Sequence, residues 1–195
     1  MEAKKGRREM KKFELTTEFI TNAFGKKLFR IKALVEFGDV KAGELGGYVE
    51  KEGNVSQADN AWVYGDARVY GDACVSGNAR VSGNAWVSGN ARVYGDARVY
   101  GDARVYGNAE VYGDARVSGN ADYALVQGFG TEFRCTTFYR GKNKKIMVNC
   151  GCFHGDLEGF RKQVKETRNG KIAKEYLMIA DLMEYHFTSE DSSDE

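Results

Sequence analysis

NAWVYG, DARVYG, DACVSG, NARVSG, NAWVSG, NARVYG, DARVYG, DARVYG, NAEVYG and DARVSG follow one another from Asn60 to Gly119, ten unbroken hexads. Val holds one position in every hexad, from Val63 to Val117, and Ala precedes it by two, from Ala61 to Ala115. On an extended strand, residues two apart point to the same side, so Ala and Val share a face. The variable residue between them points away, as does the Tyr or Ser that follows Val. Gly and Asn or Asp then close the hexad, and these residues tolerate the left-handed backbone of a corner. Identical corners every six residues keep the chain turning the same way, which excludes a hairpin array. Three sides make a triangular coil, and stacked coils pair strand on strand in parallel, about 4.8 Å apart. The sequence therefore predicts a parallel β-helix with a dry interior of Val and Ala columns.

The register extends backwards. Gly47 and Gly53 are in phase with Gly65, and Asn54 with Asn60. The expected solenoid spans residues 48–130, about four coils, with exposed strand edges at both ends that need covering. Lys12 to Thr16 and Lys27 to Phe37 alternate apolar and polar residues around Asn22 to Gly25. They predict a β-hairpin cap over residues 13–47. After Gly130 the hexads stop. Phe133 to Arg140 and Lys145 to Cys150 read as two strands. Asp156 is a candidate N-cap for a helix from Leu157 to Thr167, and a second helix is expected from about Ile172 to His186. Residues 131–187 thus read as a ββαα unit, and the fold class as mainly β with an α+β end.

Composition narrows the function classes. The net charge is +1, so no global field selects nucleic acid or membrane. Residues 1–12 carry six Lys or Arg against two Glu, and 188–195 carry four acids and no base; both read as solvated tails. No apolar run follows the basic start, and none approaches the roughly 20 residues of a membrane helix. Four cysteines in 195 residues do not form a disulfide framework, so a cytoplasmic protein is expected.

The stretch LFRIKALVEFGDVKAGELGGYVEKEGNVSQ, with the hexads after it, resembles bacterial and phage hexapeptide-repeat proteins of the YdcK type. MVNCGCFHGDLEGFRKQVKET, followed by AKEYLMIADL, resembles a small domain at the end of many phage-encoded proteins. The two resemblances together cover nearly all of residues 10–187. They imply a left-handed helix sense, often trimeric assembly and a phage or mobile-element context. From that context alone comes an anti-defence role, inhibition of a host immune system such as CRISPR–Cas. Members are often labelled transferases by fold analogy, which maps no catalytic residue onto this chain.

Acyltransferases of this fold usually need a histidine base on the coil wall and a loop extruded to shape a CoA cleft. From Asn54 to Asp122 there is neither, and His154 and His186 both lie in the C-terminal unit. No catalytic residue is therefore assigned and no cofactor is expected, with one exception. Cys150, Cys152 and His154 alternate along the chain, with Cys135 on the neighbouring strand, and such ligands suit tetrahedral zinc. The competing reading is of small core cysteines and a surface histidine.

The walls are the other candidate. Residues eighteen apart stack on one wall. The first wall carries Trp62, Arg80, Arg98 and Arg116, with Tyr64 and Tyr100 beside them. The second carries Arg68, Trp86 and Arg104, with Tyr70 and Tyr106. The third carries Cys74, Arg92 and Glu110. Arg and aromatic residues dominate binding hot spots, so these walls are read as an interface for a host protein or for a second copy, in a dimer or trimer. A nucleotide or nucleic acid is the alternative partner. Six arginines against seven acids in residues 60–122 argue against simple charge-driven DNA binding.

Overall fold

In the computed structural model, residues 11–188 are described. Both terminal tails, apart from Lys11, Lys12 and Thr188, lie outside that range. The chain is mainly β. It begins with a hairpin, continues as a parallel β-solenoid of about four coils, and ends in an antiparallel sheet backed by two helices.

The hairpin pairs Phe13–Thr21 with Lys27–Ala33. Its turn is closed by Asn22 Oδ1, which accepts from the amides of Phe24 and Lys26, both at 3.0 Å. Leu45–Val49 adds antiparallel to the second hairpin strand and, on its other side, runs parallel to Arg68–Val69. The cap therefore continues the second solenoid wall as one six-stranded sheet. Close approach is bought by two glycines: a Cβ on Gly46 would lie 2.6 Å from the Val63 carbonyl, and one on Gly47 2.5 Å from the Ala67 carbonyl.

Within the coils, every hexad Ala and Val is buried in one continuous core. Each buried Val side chain contributes about 1.5–3 kcal/mol relative to exposure. Arg80, Arg98 and Arg116 stack in register above Trp62, while Arg68, Trp86 and Arg104 form the second column. The third column is Cys74, Arg92 and Glu110. At the corners, Asn60, Asn78 and Asp96 form a side-chain ladder with 3.0 Å steps. Asn54, in the degenerate first coil, is buried and donates to the Gly71 and Ala73 carbonyls.

The far end differs from the sequence expectation. The solenoid stops at the 3-10 turn Asn120–Asp122, and the next stretch, Tyr123–Phe129, is a strand of another sheet. That sheet runs Tyr123–Phe129, Arg134–Arg140, Ile146–Cys150 and Phe153–Asp156, all antiparallel. The unit is ββββαα where two strands were expected. Tyr123 follows the last hexad without a break in polarity, so no local signal marks the change. Its sheet caps the last coil: Tyr123 and Tyr139 join the solenoid core, and Phe138 and Val148 face the helices. The exposed coil edge is satisfied from this sheet, with the Glu110 amide donating to Thr137 Oγ1 (3.0 Å) and Tyr123 donating to the Arg104 carbonyl. Helix α1 (Leu157–Thr167) begins at Asp156, whose carboxylate accepts from the Gly159 amide at 2.9 Å. Helix α2 (Gly170–Thr188) packs beside it through Tyr176, Ile179, Ala180, Met183 and Phe187.

Candidate binding surface

The first wall departs from its expectation at one residue. Trp62 occupies an outward position of the strand, yet it is 0% exposed. Phe13 and Phe37 pack edge-on against its ring at 5.8 and 5.3 Å. The N-terminal cap folds over this end of the wall, so Trp62 belongs to the core and not to a surface.

Above it the wall is open. Tyr64, Arg80, Ser82, Arg98, Tyr100 and Arg116 line a shallow groove of ≈ 610 Å³. At its near end Asp39 takes a hydrogen bond from Arg80 Nη1 (2.7 Å) and another from the Tyr64 hydroxyl (3.1 Å). Burial pushes the Asp39 carboxyl up, but these two donors outweigh it and hold it below its ordinary value. Burial likewise raises the Tyr64 phenol to about 12. At the far end Arg116 Nη1 donates to the carbonyls of Asp96, Asp114 and Ala115. Arg98, between them, has no side-chain hydrogen bond or ion pair among the described residues. The groove runs on into a second hollow, where Tyr100 and Arg116 meet Arg140, Lys144 and Phe187. There Arg140 is paired with Asp122 at 2.9 Å.

The second wall stacks its arginines on a tryptophan, with Arg68 Nε buried and without a hydrogen-bond partner among the described residues. The guanidiniums of Arg68 and Arg104 lie 5.1 and 4.8 Å from the Trp86 ring, a stacked sandwich that offsets their mutual repulsion. Tyr70 is half-buried beside them. Tyr106 is exposed and packs edge-on against Tyr123 at 6.2 Å. On the third wall, Tyr94 and Tyr112 stack at 4.5 Å, and Asn149 donates to Glu110.

The cysteine–histidine set is not one site. The alternation argument needs residues 150–154 extended, but the chain turns at Gly151, with φ +61°, and Cys150 pairs across the turn with Phe153. Asn149 pairs with His154, so Cys150 and His154 belong to successive cross-strand pairs and point to opposite faces of the sheet. Cys150 is held by Thr136 Oγ1 at 3.1 Å. His154 packs on the Tyr112 ring at 4.4 Å, and burial lowers its pKa. Cys152 is exposed at the turn and Cys135 is partly buried. Among the described residues no three His, Cys, Asp or Glu side chains converge as a metal site would require.

Stacked parallel coils, a continuous Val/Ala interior and capped ends define a β-solenoid repeat protein. Residues 61–77, 73–89, 85–99, 91–107 and 97–111 are each similar to the family model of the YdcK beta solenoid repeat. Among curated proteins none matches the chain. No helix of the described residues is long and apolar enough to cross a membrane.

Proposed function

We propose that the protein is a non-catalytic binding scaffold that holds a partner protein against its first wall. The observation that carries this reading is Arg98, whose charge is unanswered in the middle of an open groove. Arg116 meets only carbonyl oxygens, and Lys144 forms no ion pair among the described residues. Cations without carboxylates, beside Tyr64 and Tyr100, favour a partner that brings acidic groups onto an aromatic-lined surface. The mobile-element resemblance points to a host protein, and inhibition of a host defence system is the role it suggests.

Nucleic acid is the weaker candidate, because six arginines against seven acids in residues 60–122 leave no net positive field to draw phosphates. Acyl transfer would have to do without the histidine base usual on the coil wall, since residues 54–122 contain no histidine. The immobilised chain should capture a protein from host lysate, identified by mass spectrometry. Changing Arg80, Arg98 and Arg116 together to Ser should abolish that capture while far-UV circular dichroism is unchanged. Capture that survives the triple change clears the wall. Stabilisation by CoA in a thermal-shift assay, or salt-sensitive retention on single-stranded DNA, would replace the reading with an enzyme or a nucleic-acid binder. Sedimentation at the mass of a dimer or trimer, lost in the triple variant, would make a second copy the partner.

A further inference from the structure

A different hollow lies in the C-terminal unit, bounded by the turn at Gly151, the loop before Arg134 and the two helices. Its volume is ≈ 550 Å³, within the range of small-molecule sites. Two guanidiniums line it, those of Arg134 and Arg168. Neither has an ion pair among the described residues, and the hydrogen bond of Arg168 runs only to the adjacent Thr167 carbonyl, at 3.4 Å. Arg134 lies across Gly151 so closely that a Cβ there would come within 2.5 Å of its Nη1. The glycine at this left-handed turn therefore gives the guanidinium its place. Glu132 is the one carboxylate on the rim, and it is exposed.

Tyr176 lines the same hollow. Burial and the neighbouring Cys150 raise its pKa, and the charges of Arg168 and Arg134 pull it the other way. Its hydroxyl donates to the Phe129 carbonyl at 3.3 Å. Phe153, Phe160 and Val164 give the wall an apolar patch, with Phe153 and Phe160 in ring contact at 5.6 Å, and Thr131, His154, Gln163 and Thr167 add polar groups beside it.

Two uncompensated cations over an aromatic floor describe a particular kind of guest. We infer that this pocket binds a small organic anion, with a phosphate or carboxylate held between Arg134 and Arg168 and an apolar body resting on Phe153 and Phe160. The pocket is separate from the solenoid wall, so it stands or falls independently of the scaffold reading.

Titrating the ¹⁵N-labelled full chain with phenyl phosphate, benzoate and inorganic phosphate tests it. Phenyl phosphate or benzoate should give saturable shifts at the amides of Arg134, Gly151, Thr167 and Arg168; which of the two binds tighter tells phosphate from carboxylate recognition. Arg134→Gln and Arg168→Gln should each weaken binding roughly tenfold, the scale of one charge-assisted hydrogen bond. Arg98→Gln, on the first wall, should leave it unchanged. Both arginines are exposed, so the fold should persist, which the spectra themselves report. The inference fails if neither organic anion gives saturable shifts there, if inorganic phosphate binds as well as phenyl phosphate, or if both glutamine variants bind like the parent.

Discussion

The Lys12 amine donates to the Ala61 carbonyl at 2.8 Å and to the Ala58 carbonyl at 3.2 Å, at the open edge of the first coil. It is 4% exposed and lies 4.8 Å from the Phe37 ring centre. Burial lowers its pKa to about 8 against the opposing pull of Asp59. In the unfolded chain it titrates near its ordinary 10.5, so between pH 8 and 10.5 the unfolded state binds more protons. Stability should therefore rise with pH above 8, and what the neutral amine contributes should be lost as pH falls through 8. The raised phenols of Tyr64, Tyr123 and Tyr139 act in the opposite direction above about pH 10. Urea melts of the parent and of Lys12→Met isolate the lysine: the difference between them should change by on the order of 1–2 kcal/mol from pH 8 to 10. Equal slopes would refute its burial. The sequence places Lys12 in a solvated tail, since its neighbours are basic and nothing local announces a carbonyl-rich coil edge. Trp62 escapes prediction for the same reason. Strand alternation assigns it outward, and only Phe13 and Phe37, distant in sequence, enclose it. The arginine column, in contrast, is legible, because eighteen-residue spacing alone stacks Arg80, Arg98 and Arg116.

At the scale of the coil, Val87 and Gly83 carry separate duties. Val87→Ala should cost about 2–3 kcal/mol in thermal or urea unfolding, since the closely stacked interior cannot collapse onto the lost methyl groups. Gly83 holds φ at +67°, and a Cβ there would lie 3.1 Å from the Gly101 amide nitrogen in the next coil. Gly83→Ala should then cost at least about 1–2 kcal/mol from backbone conformation alone. A glycine at a corner with little cost on substitution would contradict the left-handed turn. These elements are readable because each hexad repeats one local rule. Helix α1 is readable from its cap and its apolar face. The strand Tyr123–Phe129 and the turn at Gly151 are not, because their conformations are set by the sheet they join.

For the molecule as a whole, length should be adjustable one coil at a time. Deleting residues 91–108 removes eighteen residues, keeps all three columns in register and puts Trp86 in the place of Arg104 beneath the C-terminal sheet. That variant should unfold in a single cooperative transition, at a lower temperature than the parent. Removing residues 1–44 instead uncovers Trp62 and the first strand edge, and the product should associate through it on size-exclusion chromatography. A monomer with an unchanged melt would show that the hairpin protects nothing. The hairpin has one more consequence. Asp96 to Gly101 and Asp102 to Gly107 are the same six letters, so a thread wound one side out of step has an almost identical interior. The winding itself cannot choose its starting point. The hairpin, joined edge-on to the second wall, supplies it, and because it leaves the ribosome before the repeats it can fix the phase while they are still being made.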